Sequence, residues 1–203
     1  MKLSSGCPNN CGYCYEPTIM ETYEIPTIVD DEYQIIDMNL LAQGGALKTI
    51  IKLGDQPAKS YELVCGIDYR FLTPEIAKAL KLSRFVKIRF AWDCGYAQQI
   101  LMKKTKSMLI NAGFRPSEIS VFMLANWKIP FSDCMKKLDL LKVWNLKVND
   151  CCFDGGYQTP ASGYWTDSEI KECRLKCRKH NQLVSFGIDP EFKFNHNMGL
   201  FEQ

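Results

Sequence analysis

Three of the ten cysteines lie close together near the start of the chain, in the segment Cys7-Pro-Asn-Asn-Cys11-Gly-Tyr-Cys14. Thiolates bind zinc and iron–sulfur clusters, and a cubane cluster normally takes four of them. The Gly, Pro and Asn residues around these cysteines favour a loop, which can bring the sulfurs to a common centre and point backbone N–H groups at them. Three thiolates leave the fourth iron of a cubane open, and an open position is typical of a centre that binds substrate or cofactor.

A structural zinc site is the alternative for the same three cysteines. Such a site needs a fourth ligand from elsewhere in the chain. His180 and His196 are the only histidines, and neither has a recognisable zinc-ligand spacing. The cysteines therefore indicate an iron–sulfur centre more strongly than a zinc centre.

The loop reads C-x-x-x-C-x-aromatic-C, with Tyr13 directly before the last cysteine. This pattern resembles the signature loop of the radical S-adenosylmethionine (radical SAM) superfamily. The resemblance implies a [4Fe-4S] cluster on Cys7, Cys11 and Cys14, with the amino and carboxylate groups of SAM on the fourth iron. It also implies reductive cleavage of SAM to methionine and a 5′-deoxyadenosyl radical, which abstracts hydrogen from a substrate.

Composition agrees with a globular enzyme. The chain has 203 residues, of which 46% are hydrophobic and 24% charged, and a net charge of +2 excludes a strongly basic nucleic-acid arm. Cysteine makes up about 5% of the residues, below the roughly 8–10% of small disulfide scaffolds. No apolar stretch approaches the roughly 18 residues of a membrane span, and the first residues leave no room for a signal peptide. We therefore predict a cytoplasmic protein with no membrane contact.

The radical SAM resemblance implies a partial β/α barrel, and the patterns beyond the loop alternate as such a fold requires. Strands are predicted at 2–5, 34–41, 61–68, 85–92, 119–126 and 146–152, with 183–188 as a further candidate. Helices are predicted at 45–54, 74–83, 96–112, 131–145 and 167–180. The expected fold is an α/β, partial (β/α)6 TIM-like barrel.

Polar residues recur on one parity of these strands, and alternate residues of a barrel strand point to the lumen and to the helices. In the fourth strand the even-numbered residues are apolar, whereas Arg89 and the following Asp93 fall on the other parity. Asp37 and Asn39 alternate with apolar residues in the second strand, and Asn126 ends the fifth. Polar side chains thus collect towards the carboxyl ends of the strands, the face at which β/α barrels place their active sites.

The resemblance assigns SAM contacts to Tyr13, Asp37, Asn39, Arg89, Asp93 and Asn126. In that family the aromatic residue of the loop and the end of strand five lie by the adenine. The end of strand two meets the amino group, and strand four contacts the ribose or the carboxylate. Many members carry Gly-Gly-Glu after strand two, whereas Gly44-Gly45-Ala46 lacks the acid here; Asp37-x-Asn39 resembles the alternative of other branches.

The remaining cysteines are predicted to pack rather than to bind metal. Cys173 and Cys177 share one face of a capped helix, which favours a place in the core. An auxiliary cluster with Cys151 and Cys152 is the alternative, but neighbouring residues on a strand point to opposite faces. Cys65 falls on the apolar parity of its predicted strand, so either a core or a near-surface thiol is expected there.

These patterns predict one radical SAM core domain over residues 1–203, with the cluster loop at 6–17 and a short tail at 190–203. The resemblance implies an external one-electron donor of the flavodoxin or ferredoxin type. The substrate is either a small molecule or a macromolecule such as RNA or a protein, and four acidic or basic residues are candidates to contact it: Asp68, Arg70, Asp150 and Asp154. No residue is assigned a proton-transfer role. The competing hypothesis is a non-catalytic iron–sulfur or zinc module for electron transfer or binding.

Overall fold

Strands and helices alternate along the chain, as the hydrophobic periodicity predicts. A computed structural model describes residues 1–153 and 165–187. The strands are β1 (Ser4–Ser5), β2 (Glu21–Thr22), β3 (Glu32–Ile35), β4 (Ser60–Leu63), β5 (Ile88–Trp92), β6 (Ile119–Ala125) and β7 (Lys147–Cys152). The helices are α1 (Ala46–Gly54), α2 (Pro74–Leu82), α3 (Gln99–Asn111), α4 (Phe131–Trp144) and α5 (Asp167–Phe186).

The strands form three small sheets. β1 and β2 are antiparallel, β3 and β4 are parallel, and β6 lies between β5 and β7 in a parallel sheet. Over residues 1–153 and 165–187 these sheets are open and do not form a closed barrel. The predicted α/β class is confirmed.

Backbone hydrogen bonds continue from one sheet to the next. The Met1 ammonium group donates to the Gln34 carbonyl over 2.5 Å, and the Ile36 N–H donates to the Met1 carbonyl over 3.0 Å. Beyond β4, the Ile67 N–H donates to the Arg89 carbonyl of β5 over 2.7 Å. The chain start, β3, β4 and β5 therefore lie side by side in space, in the same order as in the sequence.

The core lies between the strands and the helices that connect them. Ile88, Phe90 and Trp92 of β5 are at most 1% exposed, whereas Arg89 and Ala91 are half-buried. This alternation confirms the predicted parity of β5. It also means that the polar face of β5 points away from the covering helices, since the buried apolar face is the one that packs on them.

Local signals position the helices where the sequence predicts them. The Thr73 hydroxyl accepts the Ile76 N–H over 3.2 Å at the start of α2, and the hydroxyl of Thr166 accepts the Glu169 N–H at the start of α5. Such caps satisfy backbone donors that have no partner within the helix. No helix within the described residues combines the length and the apolar content needed to cross a membrane.

The predicted strand at 34–41 is wrong beyond residue 35. β3 ends at Ile35, and Leu40–Ala42 form a 3₁₀ turn. The predicted parity places Ile36 on the apolar face of the strand, but Ile36 is 52% exposed. Leu40 and Leu41, which are consecutive residues, are both buried. Asp37 and Asn39 therefore lie in the loop that follows β3 and not on alternate positions of a strand.

Two other predicted strands also need correction. The strand at 61–68 ends at Leu63, and Gly66 then turns the chain with φ of +82°. A side chain at this position would lie 2.8 Å from the Phe122 ring, so the turn requires glycine. The strand proposed from 183 is the last turn of α5 as far as residue 186. The predicted tail at 190–203 and the candidate Asp154 lie outside the described residues.

Candidate functional site

The three-cysteine loop lies between β1 and β2. Gly6 opens the loop with φ of +81°, and an added Cβ there would lie 1.9 Å from the Ile19 carbonyl oxygen. The Cys7 N–H donates to the Pro17 carbonyl over 2.9 Å, which closes the base of the loop. A second turn forms where the Cys14 N–H donates to the Cys11 carbonyl over 2.9 Å. These bonds hold the three half-buried thiols on one loop.

All three thiols line a single cavity of about 130 Å³. The opposite wall comes from the segments that follow β3, β4 and β5. The side chains that line it include Asn39, Cys65, Asp68, Arg70 and Asp93. The cavity is smaller than a typical ligand pocket of about 300–1,000 Å³, so a ligand of ordinary size extends beyond its mouth.

A polar network runs around this cavity. The Tyr13 hydroxyl donates to Asp93 Oδ2 over 2.5 Å, and Arg70 Nη2 lies 3.6 Å from the same oxygen. Arg70 Nε donates to Asp68 Oδ1 over 2.7 Å. On the other oxygen, Asp68 accepts the side-chain amide of Asn9 over 2.6 Å. Arg70 thus lies between two carboxylates at the cavity wall.

The amide of Asn39 joins this network to the loop. Asn39 Nδ2 donates to Asp68 Oδ2 over 3.0 Å and contacts Cys7 Sγ at 3.2 Å. Asn39 is 5% exposed, and its Oδ1 has no hydrogen-bond partner among residues 1–153 and 165–187. A buried acceptor without a partner is uncommon, because it has lost its water without replacement. Asn39 therefore presents a donor to the loop and a free acceptor inside the site.

The charges of the network follow from their surroundings. Burial alone would raise the pKa of Asp68, but the hydrogen bonds and positive charge of Arg70 hold that pKa below its ordinary value. Burial raises the pKa of the Tyr13 hydroxyl, and its bond to Asp93 raises it further. Asp68 is therefore ionised and Tyr13 is protonated at neutral pH.

The thiol environments differ within the cavity. Burial raises the pKa of Cys14, and the Glu16 N–H, which donates to Cys14 Sγ over 3.5 Å, partly offsets this. Burial and the nearby charges of Asp37 and Glu16 raise the pKa of Cys65. Cys65 also donates to the Ile36 carbonyl at 3.7 Å. Cys65 is half-buried and not in the core, so it takes the second of its two expected positions, and the turn after β4 directs its thiol to the cavity.

Aromatic side chains cover one side of the loop. The Tyr13 ring meets the Trp127 ring edge to face with 6.0 Å between centroids, and Trp127 in turn contacts Phe153 at 4.6 Å. Trp127 follows β6 and Phe153 follows β7. The aromatic contact fixes the loop beside the carboxyl ends of these two strands.

Of the predicted site residues, the structure brings six together: Cys7, Cys11, Cys14, Tyr13, Asn39 and Asp93. Asp37 lies apart from this cavity. It is fully buried and accepts the Leu3 N–H over 2.8 Å and the Ser4 hydroxyl over 2.5 Å. These bonds attach Leu3 and Ser4, which lead into the cysteine loop, to the segment after β3. Asp37 therefore stabilises the start of the loop.

Arg89 and Asn126 also have partners away from the cavity. Arg89 forms an ion pair with Glu62 on β4 and donates to the Leu63 carbonyl. Asn126 donates to the Phe153 carbonyl over 2.9 Å and accepts the Trp165 N–H over 3.1 Å. The Asn126 amide thus joins the ends of β6 and β7 through Nδ2 and binds the segment before α5 through Oδ1.

Asn9, Glu16 and Cys65 are site residues that sequence reasoning missed. Asn9 and Glu16 belong to the cluster loop, and their polarity alone gives no sign that the Asn9 side chain donates to Asp68 or that the Glu16 N–H donates to Cys14 Sγ. Asp68 and Arg70, expected to contact substrate, lie in the network beside the loop. The Asp150 candidate lies 3.8 Å from Arg174 on α5.

The cysteines of β7 and α5 form a separate group. Cys173 and Cys177 are at most 1% exposed, which confirms the predicted core packing. The interaction with Cys173 raises the pKa of the Cys152 thiol, and burial raises it further. All ten cysteines are free thiols.

The donor set of the loop fits a cluster better than a single metal ion. Within residues 1–153 and 165–187, no three Cys, His, Asp or Glu side chains converge closely enough to hold one ion. A zinc site requires such convergence, whereas the thiolates of a cubane cluster each bind a different iron. The three thiols line one cavity and two of them accept N–H donors, which is the donor chemistry that an iron–sulfur cluster takes.

Comparison with the profiles of known protein families gives no match to this chain. A search of curated proteins likewise finds no similar sequence.

Proposed function

We propose that this chain is a radical SAM enzyme, with a [4Fe-4S] cluster on Cys7, Cys11 and Cys14. The observation that carries the proposal is the common cavity: three thiols of one loop face Asn39 and Asp93, which come from the ends of different strands. When bound, the cluster and SAM supply a one-electron cleavage that yields methionine and a 5′-deoxyadenosyl radical, which takes hydrogen from the substrate. The substrate class is left to the test below.

The residues of the chain position the reacting groups. The Glu16 and Asn39 N–H groups donate to thiolate sulfur, which orients the ligands and disperses their charge. Tyr13 and Asp93 fix the loop against β5 through their 2.5 Å hydrogen bond. Trp127 and Phe153 exclude water from one side of the loop. Holding a reactive group and a substrate at a fixed approach is the protein's contribution to such chemistry.

The proposed fold is a partial (β/α)6 barrel. The hydrogen bonds from Met1 to β3 and from Ile67 to β5 support it, because they link the small sheets into one series of neighbours. The site also lies after the carboxyl ends of β3, β4 and β5, where β/α barrels bind ligands. Thiolate chemistry requires a reducing compartment, which supports a cytoplasmic location and a flavodoxin- or ferredoxin-type electron donor.

The test is anaerobic reconstitution with iron and sulfide, followed by one-electron reduction in the presence of SAM. We expect about four irons per chain, an electron paramagnetic resonance (EPR) signal that changes on SAM addition, and release of 5′-deoxyadenosine. Cys11→Ala is expected to abolish all three. Cys151→Ser is the matched control, because Cys151 is a half-buried thiol on β7 whose hydrogen bond goes to Asn149 on its own strand. A cluster that leaves SAM intact, with an EPR signal unaffected by SAM, would refute the proposal.

A second function, electron transfer by a closed cluster, is favoured by one observation. Cys65 lines the same cavity as the loop cysteines and offers a fourth thiolate. A four-thiolate cluster has no open iron and serves electron transfer or structure. Cys65→Ala separates the two functions: the enzyme retains its cluster and its response to SAM, whereas the electron-transfer module loses cluster content.

The substrate class is resolved by the same 5′-deoxyadenosine assay. Transfer of deuterium from labelled candidate substrates into 5′-deoxyadenosine identifies the hydrogen donor directly. Deuterium enrichment with RNA or protein co-purified from cells grown in deuterated medium would indicate a macromolecular substrate, and its abolition by nuclease or protease would identify which class it is.

A further inference from the structure

The Asn39 amide is placed between a carboxylate and a cluster cysteine. Its single nitrogen donates to Asp68 Oδ2 over 3.0 Å and contacts Cys7 Sγ at 3.2 Å. A primary amide carries two N–H bonds, so one hydrogen is available for each acceptor. Both hydrogens of Asn39 are therefore used, and one of them points at sulfur.

Asp68 fixes the orientation of this amide. An ionised carboxylate only accepts hydrogen bonds, so a flipped Asn39 would place Oδ1 against an oxygen of like charge. Asp68 is itself held by the Arg70 N–H over 3.0 Å and by Arg70 Nε over 2.7 Å. The sequence of contacts from Arg70 through Asp68 thus keeps the amide nitrogen on the side of Cys7.

The free end of the amide supports a functional rather than a packing role. Asn39 is 5% exposed and lines the cavity, yet its Oδ1 has no partner in the described part of the chain. A buried acceptor without a partner carries a desolvation cost, which an apolar side chain would not carry. The amide therefore meets a requirement of the site other than stability of the fold.

On the basis of the proposed function, we propose that Asn39 is a positioning residue that raises the reduction potential of the cluster through its N–H···S contact with Cys7. Hydrogen bonds to thiolate sulfur stabilise the added electron, because the reduced cluster places more negative charge on its ligands. Asp68 and Arg70 act through Asn39 by holding its orientation. The cluster thereby becomes easier for a one-electron donor to reduce.

The experiment is a potentiometric titration of the reconstituted full-length protein, followed by EPR. Asn39→Leu keeps the side-chain volume and removes both N–H groups. We expect the equilibrium constant for cluster reduction to fall about tenfold, which lowers the potential by about 59 mV for a one-electron couple.

Asn9→Leu is the matched control. Asn9 donates to the same Asp68 oxygen over 2.6 Å, and the structure gives it no contact with sulfur. The control therefore perturbs Asp68 equally and is expected to leave the potential within the error of the titration. Equal shifts in the two variants would overturn the proposal, because they would arise from Asp68 and not from the N–H···S contact.

A measurement on the unmodified sequence keeps the proposal testable if Asn39→Leu fails to assemble a cluster. The unmodified protein, labelled with ¹⁵N-asparagine and reduced, is expected to show nuclear coupling between a side-chain nitrogen and the cluster, and Asn39→Ser is expected to lose it. Absence of the coupling in a protein with an intact cluster overturns the role of Asn39 and leaves the enzyme proposal standing. Failure of the unmodified chain to assemble any cluster refutes the proposed function instead.

Discussion

Replacing Arg70 by Met tests how the cavity wall holds its two carboxylates. The guanidinium Nε donates to Asp68 over 2.7 Å, and Nη2 lies 3.6 Å from Asp93. Methionine retains the length and flexibility of the side chain but carries no charge. In the Arg70→Met protein, Asp68 keeps its bonds from Asn9 and Asn39 and loses its only ion pair among the described residues.

The expected loss of stability lies between two limits. Breaking a fully buried pair costs about 3–5 kcal/mol, and an exposed pair is worth about 0–1 kcal/mol. The side chain of Asp68 is 8% exposed and that of Arg70 is 39% exposed, so solvent screens one partner. We therefore expect Arg70→Met to lower the free energy of unfolding by about 1–2 kcal/mol at pH 7.

The pH dependence of the stability loss in Arg70→Met follows from the pKa of Asp68. In the native protein the pKa of Asp68 lies below the ordinary value of 3.8, so its contribution is present above that pH and is lost as the pH falls through the lowered pKa. Without Arg70, burial dominates and raises the pKa of Asp68. The variant then protonates Asp68 at a higher pH, so its stability deficit shrinks between pH 7 and about pH 4.5.

The assay is urea unfolding of the metal-free, fully reduced protein at both pH values, with the free energy of unfolding extrapolated to water. Arg115→Met is the control, because Arg115 is 78% exposed in its pair with Glu118 and is expected to change stability by less than about 0.5 kcal/mol. A deficit of equal size at pH 7 and pH 4.5 would refute the reasoning, since it would arise from lost packing and not from the charge of Asp68.

Three further changes test other parts of the structure. Gly6→Ala is expected to prevent cluster assembly, because the new methyl group would meet the Ile19 carbonyl at 1.9 Å, whereas Gly44→Ala faces open space and is expected to assemble normally; iron content decides. Lys137→Met is expected to raise the free energy of unfolding by about 1–2 kcal/mol at pH 7, since the fully buried ammonium group contacts the Trp92 carbonyl at 3.4 Å and the Trp92 ring but forms no ion pair within the described residues. Burial lowers the pKa of Lys137, so the gain should narrow as the pH rises towards 10.5, and a gain independent of pH would contradict this cause. Asn126→Ala is expected to cost about 2 kcal/mol or more, because it leaves the buried Trp165 N–H without its acceptor; an unchanged midpoint in thermal unfolding would show that water replaces it.

Sequence patterns predict the regular elements well where burial is one-sided. β5 alternates because one face packs against helices, so parity alone identifies Ile88, Phe90 and Trp92 as core. Parity fails after β3, because the chain turns and buries Leu40 and Leu41 side by side. It fails again at the end of α5, where Asn181 exchanges two hydrogen bonds with Val148 of β7, over 2.8 and 2.7 Å, and so attaches the helix to the sheet edge. Such long-range bonds have no local signature in the sequence.

The candidate site shows why its residues were easier to predict as a group than one by one. Parallel strands in sequence order bring their carboxyl ends to one side, so any polar residue shortly after such an end enters the same region even when the strand boundary is misplaced. Asn39 and Asp93 line the cavity because they follow such strand ends. Cys65 lines it for the same reason, although the predicted parity placed it on the apolar face of its strand. Which of these side chains faces the cavity depends on partners distant in sequence: Asp37 turns to Leu3, whereas Asn39, two residues later, turns to Asp68 and Cys7. The chemistry therefore follows from the topology, and the roles of individual residues follow from contacts that only the folded chain creates.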